Sequence, residues 1–122
     1  MLPCNTSSDD KDDNVVLILW YKNDNVTPIY TIDARSISLN KAHHSMDENL
    51  KSRAYFQTSN PVSFLRINPV QENDQGEYRC RVDFKRGRTL NRIVQLSIIG
   101  KVLSCFMPQI VTNCFHLSNK KT

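Results

Sequence analysis

The side chains that could do chemistry in this chain are its cysteines, its paired histidines and two clusters of charged residues. His43 and His44 are adjacent, so an extended segment would point them to opposite sides, and no nearby cysteine or carboxylate has zinc-type spacing. We expect them in a surface loop. The chain also has no glycine-rich phosphate loop, no Gly-x-Ser-x-Gly elbow and no catalytic pairing of cysteine with histidine. These patterns predict a protein that is not an enzyme and that uses no cofactor or metal.

Opposite charges are concentrated at two places in the chain. The acidic cluster is Asp9, Asp10, Asp12 and Asp13, and the basic cluster is Lys85, Arg86 and Arg88 around Gly87. The acids could bind a divalent cation, and the bases an acidic partner or a sulfated glycan. Alternatively, both clusters are solvated loops that neutralise each other and contribute little to stability. We favour this second interpretation because the glycine-centred spacing of a calcium loop is missing.

Two cysteines and one tryptophan form the most informative pattern. Cys4 and Cys80 are 76 positions apart with Trp20 between them, and the run Asp74-Gln-Gly76-Glu-Tyr78-Arg-Cys80 leads to the second cysteine. A disulfide between facing strands with an indole packed on it would tie and fill a two-sheet core. In the loop-entropy model it would stabilise the fold by about 4.5 kcal/mol. Cys105 and Cys114 could be thiols or a further bridge, and we assign them no role.

The elements that must position these residues are short strands. Runs rich in β-branched and aromatic residues are separated by Asn, Asp, Ser, Pro and Gly, which is typical of a sandwich or barrel. The predicted strands are Val15–Tyr21, Ile29–Ile32, Arg53–Gln57, Val62–Ile67, Tyr78–Phe84 and Ile93–Ile99. Residues 38–50 lack periodicity and indicate a long connection that could contain one short edge strand.

Parity along the strands predicts which side chains face the core, because successive residues point to opposite sides of a sheet. The expected core positions are Val16, Ile18, Trp20, Leu65, Ile67, Tyr78, Cys80, Val82, Phe84, Val94, Leu96 and Ile98. Six residues then face outward on one sheet and are our candidates for binding a partner: Leu17, Leu19, Tyr21, Arg79, Arg81 and Asp83. Apolar residues rimmed by charges mark interaction sites, and aromatic and Arg residues dominate binding hot spots. The alternative is that the strand at Ile29–Ile32 covers Leu17 and Leu19.

The pattern Asp-x-Gly-x-Tyr-x-Cys with an upstream tryptophan resembles an immunoglobulin variable-type domain over residues 2–99. That resemblance implies an all-β Greek-key sandwich in which Tyr78 forms a tyrosine corner, Arg53 pairs with Asp74 at the base, and the acidic and basic clusters lie at one end. The residues that it assigns to the scaffold are Cys4, Trp20, Arg53, Leu65, Asp74, Gly76, Tyr78 and Cys80.

Several longer segments are similar to the first immunoglobulin domain of the arthropod Sidestep family. They are Leu-Pro-Cys at 2–4, Val-Leu-Ile-Leu-Trp-Tyr-Lys at 16–22, Pro-Ile-Tyr-Thr-Ile-Asp-Ala-Arg at 28–35, Arg-Ala-Tyr-Phe at 53–56 and Tyr-Arg-Cys-Arg-Val-Asp-Phe at 78–84. This similarity implies an adhesion or guidance protein on the extracellular side of the plasma membrane that recognises immunoglobulin-family receptors of the Beaten-path type. The alternatives are a soluble immune-type binder that uses the charged loops, and a fragment without function.

Length and charge limit the other possibilities. The 122 residues, 14.1 kDa, fit one domain. Residues 1–99 carry 13 of the 16 basic residues and all 12 acidic ones, so the positive excess lies in the tail and a nucleic-acid partner is not expected. No apolar run is long enough for a membrane helix, and no signal peptide precedes Cys4.

The domain is expected to span residues 1–99 and to lack its first strand, because only three residues precede Cys4. Residues 100–122 are expected to be an irregular tail outside it. The dipeptide Gly100-Lys101 is what the codons GGT-AAG, a typical exon end, would encode, which suggests read-through sequence. The signal peptide, later domains and membrane anchor of the family would then belong to a longer parent protein.

Two N-glycosylation sequons, Asn5-Thr-Ser7 and Asn25-Val-Thr27, are consistent with a secreted chain. Asn5 is next to Cys4 and is expected to be crowded. Asn25 is therefore the better candidate.

Overall fold

The computed structural model describes residues 1–8, 10, 12–59, 61–99, 102–107 and 110–112, and it describes only the backbone of Ile98, Ile99 and the strands that follow. These residues form β1 (Leu2–Asn5), β2 (Val15–Lys22), β3 (Tyr30–Asp33), β4 (His43–Met46), β5 (Ala54–Gln57), β6 (Val62–Ile67), β7 (Gly76–Phe84), β8 (Leu90–Ile99), β9 (Val102–Met107) and β10 (Ile110–Thr112). Short 3-10 turns lie at Leu39–Lys41, Glu48–Leu50 and Glu72–Asp74.

The strands form two antiparallel sheets, which confirms the predicted all-β sandwich. One sheet has the order β1-β6-β5, and the other has the order β10-β9-β8-β7-β2-β3-β4. All six predicted runs are strands with small shifts at their ends, and the connection at 38–50 contains the edge strand β4. β2 lies between β7 and β3 in the larger sheet, where its β-branched residues pack well on a pleated surface.

A disulfide joins the two sheets at the centre of the core. Cys4 of β1 is bonded to Cys80 of β7, with the two Cα atoms 6.3 Å apart. Trp20 pairs with Cys80 in the strand register, is fully buried and contacts the ring of Phe56 edge-on at 6.3 Å between centroids. Leu65 of the smaller sheet is also fully buried. The inward residues of both sheets therefore form one continuous core, as parity predicts.

Among the predicted core positions whose side chains the structure describes, Val16 and Phe84 are half-buried. Phe84 still packs against the core, whereas Val16 deviates because β2 contains a bulge. Val15 pairs with Phe84 and Leu17 pairs with Asp83, so Val16 is the extra residue between them. Val16 is half-buried rather than buried, and the prediction that it belongs to the core is wrong. Val15 lies opposite Phe84 instead and packs against the core.

At the base of the sandwich, Arg53 and Asp74 form a buried ion pair. The guanidinium donates two hydrogen bonds to the carboxylate, at 2.8 and 3.1 Å, and a third to the carbonyl of Pro69 at 2.9 Å. The hydrogen bond to Asp74 raises the pKa of Arg53 above its usual value.

The hydroxyl of Tyr78 donates to the carbonyl of Asp74, which gives the predicted tyrosine-corner geometry. Burial raises the pKa of Tyr78.

Gly76 begins β7 at a position that requires glycine. Its φ of +149° is rarely adopted by other residues, and a Cβ atom there would lie 2.7 Å from the side-chain oxygen of Asn23. That oxygen accepts the N–H of Glu77 at 3.0 Å, while the N–H of Asn23 donates to the carbonyl of Glu77 at 2.7 Å. The close contact thus joins the turn after β2 to the start of β7.

The prediction of an irregular tail is wrong for residues 102–107 and 110–112. β9 pairs with β8, Ile99 opposite Val102, and β10 pairs with β9. The reason is that β8 has an open edge whose backbone N–H and C=O groups can pair with another strand even where the side chains of that strand do not alternate. That the domain ends at residue 99 stays a prediction.

We predict that Arg53→Met lowers the free energy of unfolding by about 3–5 kcal/mol, because it leaves the carboxylate of Asp74, only 2% exposed, without its ionic partner. Chemical denaturation measures this change. The matched control is Lys51→Met, which removes an exposed pair with Glu48 and should leave the midpoint almost unchanged. Equal effects of the two substitutions would contradict the importance of the buried pair.

Candidate recognition surface

The outward side of the larger sheet carries the six residues that the sequence singled out. We call it the outer face. Its members on β2 and β7 are Leu17, Leu19, Tyr21, Arg79, Arg81 and Asp83, and its members on the neighbouring strands are Thr31, Asp33, Asn91 and Ile93. In the register, Tyr21, Arg79 and Ile93 form one row, and Leu19, Arg81 and Asn91 form the next. The strand pairing thus brings all six candidates together on one surface.

Tyr21 and Arg79 form a stacked pair on this face. The guanidinium carbon of Arg79 lies 4.5 Å from the centroid of the Tyr21 ring. As a result, Tyr21 is only 9% exposed, although its side chain lies on the outward side of the strand. Arg79 is exposed, and in the described part of the chain no carboxylate lies within 4 Å of it. Ile93, which lies in the same row, is 39% exposed. The face therefore presents an uncompensated cation among apolar groups.

Arg81 differs from Arg79 because its charge is paired within the sheet. Its guanidinium donates to the carboxylate of Asp83 at 3.0 and 3.2 Å, and Asp83 also accepts the hydroxyl of Thr89 at 2.8 Å. The hydrogen bond to Asp83 raises the pKa of Arg81. This pair presents a nearly neutral polar patch beside Arg79.

Leu17 and Leu19 lie between charged or polar neighbours and are half-buried. Leu17 is flanked by Asp83 and Asp33, and Leu19 by Arg81 and Thr31. β3 pairs with β2 edge to edge, so it lies beside the two leucines in the same sheet instead of covering them. The outer face accordingly consists of an apolar strip with polar borders.

Asp13 joins the acidic and basic loops at one end of the sandwich. Its carboxylate accepts the N–H groups of Arg86 at 2.9 Å and Gly87 at 2.6 Å, and that of Asn14 at 2.9 Å. The residue is only 8% exposed. Desolvation raises the pKa of Asp13, but the backbone donors outweigh it and the net pKa lies below its usual value. Sequence reasoning missed this role, because nothing local distinguishes Asp13 from the other aspartates.

The basic loop is held firmly by these contacts. The N–H of Lys85 also donates to the carbonyl of Asn14 at 2.8 Å, so three successive amides of the loop are anchored. Lys85, Arg86 and Arg88 are exposed and, within the described residues, have no carboxylate within 4 Å. An open cleft of about 640 Å³ lies beside the loop, lined by residues that include Ile37 and Phe84. Asp9 lies outside the described residues.

The two sequons differ in accessibility. The side-chain oxygen of Asn5 accepts the N–H and the hydroxyl of Ser7, at 2.9 and 2.6 Å, and Asn5 is half-buried. Asn25 lies in the turn between β2 and β3, where Val26 is 90% exposed. Because β2 begins at the basic-loop end and ends at this turn, Asn25 is at the opposite end of the sandwich from Asp13.

No three His, Cys, Asp or Glu side chains of the described residues are grouped so that they could hold a metal ion. Helices of sufficient length and hydropathy to cross a bilayer are likewise absent from that part of the chain.

We predict that Asp13→Asn loosens the basic loop, because it replaces an acceptor oxygen with an amide donor that faces other N–H groups. Hydrogen exchange of the Arg86 and Gly87 amides should accelerate, while Asp12→Asn, a change at an exposed neighbour, should leave it unchanged. In the unmodified protein the pKa of Asp13 lies below its usual value of 3.8. The hydrogen bonds to its carboxylate therefore contribute fully to stability above about pH 3.8. That contribution is lost as pH falls further through the folded-state pKa. Unaltered exchange in Asp13→Asn would contradict the anchor.

Comparisons with known proteins agree with this architecture. Residues 1–99 match the family model of the immunoglobulin V-set domain. Among solved structures, murine CRIg is similar, with 18% sequence identity and a TM-score of 0.52 over 70% of this chain and 71% of that one. At such low identity the likeness shows the fold alone. A search of curated proteins finds no match.

The family match covers most of the chain and agrees with the disulfide, the buried tryptophan and the two-sheet order. Domains of this kind are typically extracellular and bind protein partners without catalysing a reaction. The chain belongs to the immunoglobulin V-set family.

Proposed function

We propose that this domain is the extracellular recognition module of a cell-surface adhesion or guidance protein and that it binds another immunoglobulin-family receptor through its outer face. The main support for the proposal is the row formed by Tyr21, Arg79 and Ile93. This row lies beside the apolar strip that consists of Leu17 and Leu19. Tyr and Arg are the residue types most often found at binding hot spots, and they are most effective when apolar neighbours exclude water.

The rigidity of this surface supports the proposal. Leu17, Leu19 and Arg79 lie on β2 and β7, which pair with each other in the middle of the larger sheet. The stacked ring holds the Arg79 guanidinium in one position, so little side-chain entropy is lost when a partner's carboxylate binds to it. A flat and preorganised surface of this kind suits another sheet better than it suits a small molecule.

The similarity to the Sidestep family suggests the class of receptor. It rests on the segments at 2–4, 16–22, 28–35, 53–56 and 78–84, and it favours partners of the Beaten-path type. An Fc-fused, multimerised form of the domain applied to cells that each display one immunoglobulin-family receptor, with Beaten-path-type receptors included, tests the proposal directly.

A second candidate function is a soluble binder that uses the charged loops. The anchored cations Lys85, Arg86 and Arg88 beside the cleft favour it, because a preformed loop loses little entropy on binding. We prefer the outer face, because Asp10 and Asp12 are exposed at the same end and offset these positive charges.

We predict that Leu19→Glu weakens binding to the receptor found in that screen by about tenfold or more, because it places a charge in the apolar strip. Surface plasmon resonance measures the change. Arg86→Glu is the matched control and should alter the affinity by less than about threefold. Loss of binding only in Arg86→Glu would favour the loop model and contradict the outer-face model.

We predict that Asn25 carries an N-glycan when the full chain is secreted from eukaryotic cells behind a heterologous signal peptide. The turn that contains Asn25 is exposed and can accommodate the sugar. The turn lies far from the basic-loop end, so the sugar leaves the apolar strip of Leu17 and Leu19 open. Glycosidase treatment should increase the electrophoretic mobility of the wild type. Asn25→Gln should abolish this shift, whereas Asn5→Gln should retain it. Loss of the shift in Asn5→Gln but not in Asn25→Gln would refute the assignment of the glycan to Asn25, and so would a wild type that shows no shift.

A further inference from the structure

The hydroxyl of Tyr30 connects the two sheets at one side of the sandwich. Tyr30 belongs to β3 of the larger sheet and is fully buried. Its oxygen accepts the N–H of Phe56 at 3.0 Å, and Phe56 belongs to β5 of the smaller sheet. Among the described strands β5 is an edge strand that pairs only with β6, so this hydroxyl satisfies a backbone donor at an otherwise open edge.

His44 completes this connection. Its Nδ1 atom lies 2.6 Å from the Tyr30 oxygen, and its ring meets the Tyr30 ring edge-on at 5.6 Å between centroids. On its other side, the imidazole stacks on the ring of Tyr55 of β5 at 5.3 Å with an interplanar angle of 12°. The expectation that His44 belongs to a surface loop is therefore wrong: it lies on β4, half-buried between the two sheets.

The hydrogen bonds of Tyr30 favour a neutral His44. Phe56 already donates to the hydroxyl oxygen, so the arrangement in which the hydroxyl donates its own proton to Nδ1 satisfies both groups. Nδ1 can accept it only in a neutral imidazole whose own proton is on Nε2. Burial raises the pKa of Tyr30, so the hydroxyl keeps its proton near neutral pH. An imidazolium would instead direct an N–H towards that hydroxyl and leave its proton without an acceptor.

The surroundings of His44 do not compensate a positive charge. The titratable groups that face it are Tyr30 from β3, Tyr55 from β5 and the neighbouring His43 on its own strand. Within the described residues, no carboxylate lies within 4 Å of its ring nitrogens. Burial first, and then the proximity of His43, lower the pKa of His44 below its usual value of 6.5.

We propose that His44 is an acid-sensitive latch: while neutral it holds the β3–β4 edge of the larger sheet to β5, and its protonation breaks the bond to Tyr30 and loosens that edge. A cell-surface protein meets such acidity when it is taken up into an endosome. The latch itself does not depend on the proposed recognition function. If the outer face does bind a receptor, loosening β3 would also shift Thr31 and Asp33, and acid would weaken that binding.

The direction of the pH effect follows from linkage. Above about pH 6.5 both the folded and the unfolded chain hold His44 neutral, so the latch contributes fully. As pH falls below this value the unfolded chain takes up the proton first, and the stability of the fold declines until the lower folded-state pKa is reached.

We predict that, in the full-length chain, exchange of the Phe56 amide corrected for its intrinsic rate accelerates by about threefold or more between about pH 7.5 and about pH 5.5. In His44→Asn the side-chain oxygen stands near the position of Nδ1 and accepts the Tyr30 proton without titrating, so the pH dependence should disappear. His43→Asn is the matched control and should keep it. A wild type without pH dependence, or a His44→Asn variant that retains it, would overturn the latch.

A second measurement keeps the proposal testable if His44→Asn does not fold. Proton NMR titration of the wild type should give a midpoint for His44 below 6.5, its usual value, and the Phe56 amide resonance should move with that midpoint. A His44 midpoint at or above 6.5, or a Phe56 resonance that does not follow it, would refute the latch. Failure of receptor binding in the screen would leave both readouts unaffected, so the two proposals fail independently.

Discussion

The disulfide between Cys4 and Cys80, with Trp20 packed beside it, holds the two sheets of the sandwich together. It links β1 of the smaller sheet to β7 of the larger one across 76 positions of chain, and so restricts the unfolded state by about 4.5 kcal/mol in the loop-entropy model. Because β7 is a central strand, this covalent link also determines where the larger sheet lies over the smaller one. The bond persists only in an oxidising environment, which agrees with an extracellular domain.

Two non-covalent interactions stabilise the sandwich at a distance from the disulfide. The ion pair of Arg53 with Asp74 holds the base, and the hydroxyl of Tyr30 holds the edge formed by β5. In both places a buried polar group bonds to a partner that could not reach water. Breaking such an interaction costs free energy because the remaining group is left unpaired. The difference is that a guanidinium stays charged at every physiological pH, whereas the bond to Tyr30 depends on a neutral His44.

The inner faces of the sheets are occupied by the core, so recognition must use what remains. Each inward residue of β2 and β7 has an outward neighbour, and the same alternation that buries Trp20 and Cys80 presents Leu19 and Arg79 on the other side. The outer face and the core therefore follow from one pattern. The loops at the end of the sandwich are held together in a different way: the buried carboxylate of Asp13 accepts backbone N–H groups of the basic loop.

Local residue types and a period of two are enough to predict six of the strands, the two-sheet class and, apart from Val16 at the bulge, the side of those strands that faces the core. Other features follow only once the strands are paired: the contacts of Asp13 and His44, the cover that Arg79 provides over Tyr21 and the strands after Ile99. They depend on strand register and on which loops meet, which are set by residues distant in the chain and leave no periodic signal in it.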